Sequence, residues 1–228
     1  EYGIGTWTEE DFVRALREGL NSQGEHYYPA FPYPSYTRMT RQDMQALYAY
    51  VMTLPASSKE RRPHNLQWPF DSRPLIAHWK VSRFTGGEFS VDPDKSPQWN
   101  RGAYLAGALV HCSECHTPRD YLGAPQLERY LAGACVGPEG RRVTNITPDK
   151  ETGIGGWTYE GLMTFLKSGR KPDGGYADSL MAEVLGTSCM HLTDYDLYSL
   201  AIYLQSLPPI DNDLGTLCAP FDEAFIYE

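Results

Sequence analysis

The 228-residue sequence predicts an all-α fold built from two copies of one domain, the first copy lacking its N-terminal half. Three observations carry that expectation. Glu1-Tyr-Gly-Ile-Gly-Thr-Trp-Thr8 returns as Glu151-Thr-Gly-Ile-Gly-Gly-Trp-Thr158, an offset of 150 (151 − 1). Met39-Thr-Arg-Gln-Asp-Met-Gln-Ala-Leu-Tyr-Ala-Tyr-Val-Met-Thr-Leu-Pro55 returns as Leu192-Thr-Asp-Tyr-Asp-Leu-Tyr-Ser-Leu-Ala-Ile-Tyr-Leu-Gln-Ser-Leu-Pro208, an offset of 153 (192 − 39), so about three residues are inserted in between. No convincing apolar–polar alternation of the kind a strand needs is present. The second copy has about fifty residues before Glu151, starting near Trp99, and the first has none before Glu1.

The elements follow in order. Each repeated Trp-Thr block runs into a helical pattern ending in glycine, Glu9 to Glu18 before Gly19 and Tyr159 to Ser168 before Gly169. Thr40 and Asp43 open a helix carrying Met44, Leu47, Tyr48 and Val51, which ends at Pro55. Residues 56–98 hold Pro63, Pro69, Pro74, Pro93 and Pro97 with Gly86-Gly87, and read as an irregular linker wrapping a domain surface. Residues 99–210 form the complete domain. Its start, Trp99 to Val110, reads as one amphipathic helix. Thr193 is an N-cap with Asp196 in a capping-box position. Leu197, Leu200, Ala201 and Leu204 then make one apolar stripe before Pro208-Pro209 stops the helix. Residues 211–228 read as a tail toward a partner or a further domain.

Composition narrows the function. A formal charge of −9 and a pI near 5.2 argue against a nucleic-acid binder, which needs basic surface to displace counterions. No run reaches 18 apolar residues, so no transmembrane helix is expected, and no charged-then-apolar leader is seen. Aromatic residues make up 13% of the chain, too many for a disordered protein.

Chemistry concentrates at Cys112-Ser-Glu-Cys-His116. On a helical turn Cys112 and Cys115 share one face, and their thiols can bond the two vinyl positions of one porphyrin while His116 turns onto the iron. This is the attachment signature of haem c. A redox dithiol would want a βαβ setting, which is not visible. A zinc site would want a second Cys-x-x-Cys, which Cys135, Cys189 and Cys218 do not form. Pro118 turns the backbone after the motif, and its carbonyl is a candidate acceptor for the His116 ring N–H. The iron needs a sixth ligand, from Met163, Met181, Met190 or His191. Met163 suits core packing, and Met181, past the Gly174-Gly175 loop, is favoured. Asn145 and Thr147 are candidate hydrogen-bond partners of a propionate, as is the Trp157 indole, and Arg141 and Arg142 are candidate counter-charges. A rival reading leaves the sixth position open for peroxidase or sensor chemistry, with His191 and Tyr195 as distal acid–base groups.

These motifs together resemble the multihaem cytochrome c subunits of bacterial membrane-bound dehydrogenases. Such subunits serve alcohol, gluconate, fructose and sorbitol dehydrogenases and some molybdenum-containing aldehyde or N-heterocycle oxidoreductases. The resemblance runs through the Cys-x-x-Cys-His motif, residues 145–149, 153–157, 181–184 and 192–208, the phrase at 68–75 and the start of the complete domain at 99–105. It implies tandem cytochrome c domains in the periplasm, peripheral to the inner membrane. The role it implies is electron relay, without catalysis of its own, from a dehydrogenase partner (flavin, quinone or molybdenum cofactor) to quinone or a terminal oxidase. It also implies Met181 as distal ligand opposite His116, one covalent haem c in this chain, and a second in the first domain attached through residues outside these 228. The first domain departs from the pattern: relatives place a Met-Pro-Tyr phrase where this chain has Phe31-Pro32-Tyr33, and Met39 is the nearest methionine. A disulfide from Cys135 to Cys189 or Cys218 is compatible with the periplasm, with the pairing left open.

Overall fold

The computed structural model describes residues 3–60, 62, 64–66, 72–177 and 179–218. It divides into two compact units, Glu1–Ser90 and Val91–Glu228. Among the described residues the fold is helical, with isolated bridges and no sheet. None of the described helices is long and apolar enough to cross a membrane. Residues 68–71 of the phrase at 68–75 and residues 219–228 of the tail lie outside the described residues.

The first unit opens with α1 (Glu9–Glu18), where the Thr8 hydroxyl accepts from the Asp11 N–H and Asp11 answers onto the Thr8 backbone. Gly19 closes it in the left-handed region at φ 62°. In the second unit, α7 (Tyr159–Ser168) is capped by Thr158 and closed by Gly169 at φ 76° in the same manner. The likeness continues bond by bond. Leu20 bridges His26 as Arg170 bridges Tyr176. The Tyr27 N–H reaches the Gly19 carbonyl, as the Ala177 N–H reaches that of Gly169. Helices α3 (Arg41–Val51) and α9 (Asp194–Ser206) start on equivalent threonines, Thr40 and Thr193. The sequence repeat is thus a repeat of backbone hydrogen bonding. Between these helices the first unit has a short α2 (Tyr33–Tyr36) and the second the longer α8 (Ser179–Thr187).

The segment read as irregular linker holds a regular helix, α4 (Arg73–Arg83). Its proline misled the reading: Pro74 stands in the first turn, where a missing N–H breaks no helical bond. The segment also makes side-chain contacts within the first unit. Lys80 Nζ sits 5.1 Å from the centre of the buried Tyr33 ring, and Phe84 meets the same ring edge-on at 5.2 Å. Arg17 pairs with Glu88 at 3.0 Å, and Phe89 N–H donates to the Arg38 carbonyl.

In the second unit, α5 (Pro97–Tyr104) crosses α9. Leu197, Leu200, Ala201 and Leu204 are buried as one stripe. The crossing depends on Gly102: a Cβ there would lie 2.0 Å from the Ser199 carbonyl oxygen. Arg101 Nε donates to Asp196 across the same contact at 2.7 Å. The expected single helix from Trp99 to Val110 is interrupted, because α5 passes into a π-helical turn at Leu105–Leu109. The Val110 N–H reaches back to the Leu105 carbonyl, and His111 then takes a positive φ of 44°. Residues 211–218 do not extend away from the domain: Asn212 Nδ2 donates to the Ala132 carbonyl at 2.6 Å, and Cys218 is bonded to Cys135.

Two outcomes follow for this crossing. Gly102→Ala must push α5 off α9 and is expected to cost about 1–3 kcal/mol of stability in urea denaturation. Arg101 holds the Asp196 carboxyl below its ordinary value of 3.8. A depressed carboxylate stabilises the fold above that ordinary value and loses its contribution as pH falls through the lower, folded one. Asp196→Asn should therefore lower stability at neutral pH, with the gap to wild type closing below about pH 4 in acid titration of the melting temperature.

Candidate haem site

The turn that follows His111 is α6 (Ser113–His116), with Cys112 at its N-cap. The Cys112 carbonyl accepts the His116 N–H at 3.0 Å, which closes the turn over the whole motif. Cys112 and Cys115 are both free thiols and half-buried. Burial pushes the Cys112 thiol up to about 12, with the Cys189 thiol adding to the effect. Burial also raises Cys115, assisted by Glu114 and opposed by Arg119. Both are therefore protonated at neutral pH, unlike a redox dithiol, whose attacking sulfur is held as thiolate. Zinc fares no better: among the described residues no three His, Cys, Asp or Glu side chains gather around one point.

His116 is buried, and its Nδ1 lies 2.7 Å from the Thr144 carbonyl oxygen. A carbonyl can only accept, so Nδ1 carries the proton and Nε2 keeps its lone pair. Burial lowers the pKa of the ring, and the Thr144 hydrogen bond partly opposes this. The pair of free thiols on one turn and a neutral imidazole with an available Nε2 fit covalent haem c. The Pro118 carbonyl, expected to hold the ring, instead accepts the Gln126 N–H at 2.8 Å. Residue 144 lies on a distant loop, and its contribution is a backbone atom, so no side-chain pattern marks it.

That loop returns to the motif through Gly133, at φ 83°, whose N–H donates to the His116 carbonyl at 2.7 Å. Leu131, buried at φ 61°, receives support from Thr117 Oγ1, which accepts its N–H at 3.0 Å.

The candidate propionate partners are engaged within the protein. Asn145 and Thr147 are buried and already bonded within the protein. Asn145 Oδ1 accepts from the Thr147 N–H and hydroxyl, while Nδ2 donates to Thr152 Oγ1 and the Ile210 carbonyl. Thr147 Oγ1 also accepts the Ile210 N–H at 3.1 Å. Their hydrogen bonds tie the 145–152 loop to the chain leaving α9. Arg141 and Arg142 are exposed, and the charge of Arg142 reaches Asp213 in the tail. Trp157 is half-buried, its ring edge-on to Phe165 at 5.4 Å.

Met181 falls in the first turn of α8, half-buried. Past that helix, Cys189 is fully buried and close enough to Cys112 to affect its ionisation, so the chain after α8 runs beside the motif. Met163 lies half-buried on α7 between the core residues Leu162 and Leu166. Met190 is 47% exposed, His191 is exposed and Tyr195 is 49% exposed, which removes the sheltered acid–base pair of the open-site reading.

An all-helical unit with an anchored Cys-x-x-Cys-His turn defines the c-type cytochrome class. No family model matches the chain. Among curated proteins it is 39% identical over 225 residues to the fructose dehydrogenase cytochrome subunit of Gluconobacter japonicus, covering 98% of this chain and 46% of the relative. It is 40% identical over 213 residues to a diheme cytochrome c-type protein of Cereibacter sphaeroides, covering 92% and 69%. It is 36% identical over 226 residues to the cytochrome c subunit of the quinone alcohol dehydrogenase of Gluconacetobacter polyoxogenes, covering 94% and 47%. The chain belongs to the family of cytochrome c subunits of bacterial dehydrogenases. It spans about half the length of the fructose and alcohol dehydrogenase subunits.

Proposed function

We propose that the chain is a periplasmic electron relay, passing electrons from a catalytic dehydrogenase partner to quinone or a terminal acceptor. The observation that carries it is the motif turn itself: two free thiols on one turn, beside an imidazole whose Nδ1 is held by the Thr144 carbonyl. Cys112 and Cys115 would carry the thioethers, and His116 Nε2 and Met181 Sδ would hold the iron. The haem supplies a one-electron ferric–ferrous couple, and a thioether ligand favours its ferrous state. With His116 and Met181 both holding the iron, no substrate would be oxidised at this site, and that oxidation would belong to the partner. Burial of His116 favours the neutral ring, and the Thr144 carbonyl holds it in one tautomer.

Residues 99–210 are the complete cytochrome c domain in this reading, and residues 1–55 the C-terminal part of a first one. The matched backbone hydrogen bonds around Gly19 and Gly169 support the tandem arrangement. So does α3, which leaves exposed Leu47 and Tyr50, the counterparts of Leu200 and Tyr203 that α9 buries. A haem in the first domain would take its thioethers from residues outside this chain. The Cys135–Cys218 disulfide supports an oxidising compartment such as the periplasm.

Reduced, purified protein is expected to show the sharp visible bands of low-spin haem c, with the mass of one covalent haem on the peptide containing residues 112–116. Met181→Ala should lower the midpoint potential and admit carbon monoxide to the ferrous iron. An unchanged potential would remove Met181 as ligand, and a colourless protein would remove the relay.

A further inference from the structure

We propose that Asn145 is a positioning residue for His116: it fixes the Thr144 carbonyl against the imidazole and so sets how strongly that ring donates to the haem iron. The proposal rests on the haem reading above and goes beyond it, because Asn145 touches neither iron nor porphyrin in this scheme.

A hydrogen bond weakens steeply with distance and angle, so the position of the accepting carbonyl matters as much as its presence. Thr144 sits on a loop, and its peptide is gripped from several sides. Before it, Val143 and Ala134 exchange both backbone hydrogen bonds at 2.9 Å. Behind it lies Gly133, where a Cβ would stand 2.6 Å from the Val143 oxygen, 2.7 Å from the Asn145 nitrogen and 2.7 Å from the Thr144 carbonyl carbon. The Gly133 N–H meanwhile holds the carbonyl of His116 itself, so ligand and acceptor are referenced to one residue. After it comes Asn145, whose amide uses both lone pairs and both protons: two bonds accepted from Thr147 and one donated to each of Thr152 and Ile210. An asparagine side chain can make no more. An aspartate would lose both donors, and a serine could not span the partners.

Asn145 also reaches past its own loop. Ile210 belongs to the chain leaving α9, and that chain returns over the loop through Asn212, whose Nδ2 donates to Ala132, and through the Cys218–Cys135 disulfide. The end of α9 is thereby tied to the carbonyl that orients the ligand.

The sign follows from the acceptor's effect. A firm Nδ1–H bond makes imidazole a richer donor, which favours ferric iron and lowers the potential. Loosening Thr144 should raise it.

The test uses the haem-loaded protein. Asn145→Ala is expected to raise the midpoint potential, so that the ferrous-to-ferric ratio at a fixed ambient potential rises several-fold, and to speed exchange of the His116 Nδ1 proton in nitrogen-edited NMR. Thr152→Val removes one partner of the Asn145 amide and should shift both readouts the same way by less. It decides the matter if Asn145→Ala does not fold. Leu200→Ala, a core change on α9, should lower stability and leave both readouts in place. Covalent low-spin haem with unchanged potential and unchanged proton exchange in Asn145→Ala overturns the positioning role and leaves the relay standing. A wild type without haem overturns the relay, and the proton-exchange comparison alone then judges Asn145.

Discussion

The hydrogen bond from His116 Nδ1 to the Thr144 carbonyl is the constraint around which the second unit is arranged. A buried imidazole without that bond would have two tautomers open to it and no fixed orientation. With it, one nitrogen is protonated and committed, and the other faces whatever the motif holds. Burial works in the same direction by disfavouring the charged ring. A neutral, oriented imidazole is what a metal ligand must be, and the protein achieves it before any metal is considered.

Much of the surrounding irregularity serves this one contact. The π-helical turn at Leu105–Leu109 and the positive φ of His111 break the run of α5, so the motif leaves the helix axis and begins its own turn. Departures of this kind are costly and cluster where a site needs an otherwise inaccessible direction. Leu131 and Gly133 are the corresponding departures on the opposing loop. The regular part of the unit, α5 against α9, supplies the stability. Three buried leucines on α9 contribute roughly 1.5–3 kcal/mol each, which offsets strain of about 1–3 kcal/mol per unusual residue.

The sequence made the periodic parts of this structure legible. The caps at Thr8, Thr158, Thr40 and Thr193 and the closing glycines Gly19 and Gly169 stand where side-chain chemistry and chirality put them. The Cys-x-x-Cys-His turn was legible for the same reason, since its meaning lies in the spacing of named side chains. What escaped was either backbone or distance. The acceptor of His116 is a carbonyl, which every residue carries, so Pro118 and Thr144 cannot be told apart from the sequence. Asn145 and Thr147 read as propionate contacts because they stand in a polar loop; their bonds to Ile210, more than sixty positions away, carry no mark in the sequence. Helix α4 was hidden by Pro74, whose meaning reverses between a helix interior and a helix start.

The two units differ between two stretches of matched backbone. Up to Tyr27 and Ala177 their backbones match bond for bond, and they match again from Thr40 and Thr193. The three-residue difference falls between. In the second unit it makes room for α8, which carries Met181, and Gly169 faces only Ala177 and Leu185 at 3.7 Å. In the first unit the shorter path places the Tyr33 ring where a Cβ on Gly19 would be 2.6 Å away, and Lys80 Nζ of α4 lies 5.1 Å from the ring centre. The first unit thus seats a buried aromatic ring, Tyr33, against its closing glycine, where the second sets Leu185 of α8 near its own.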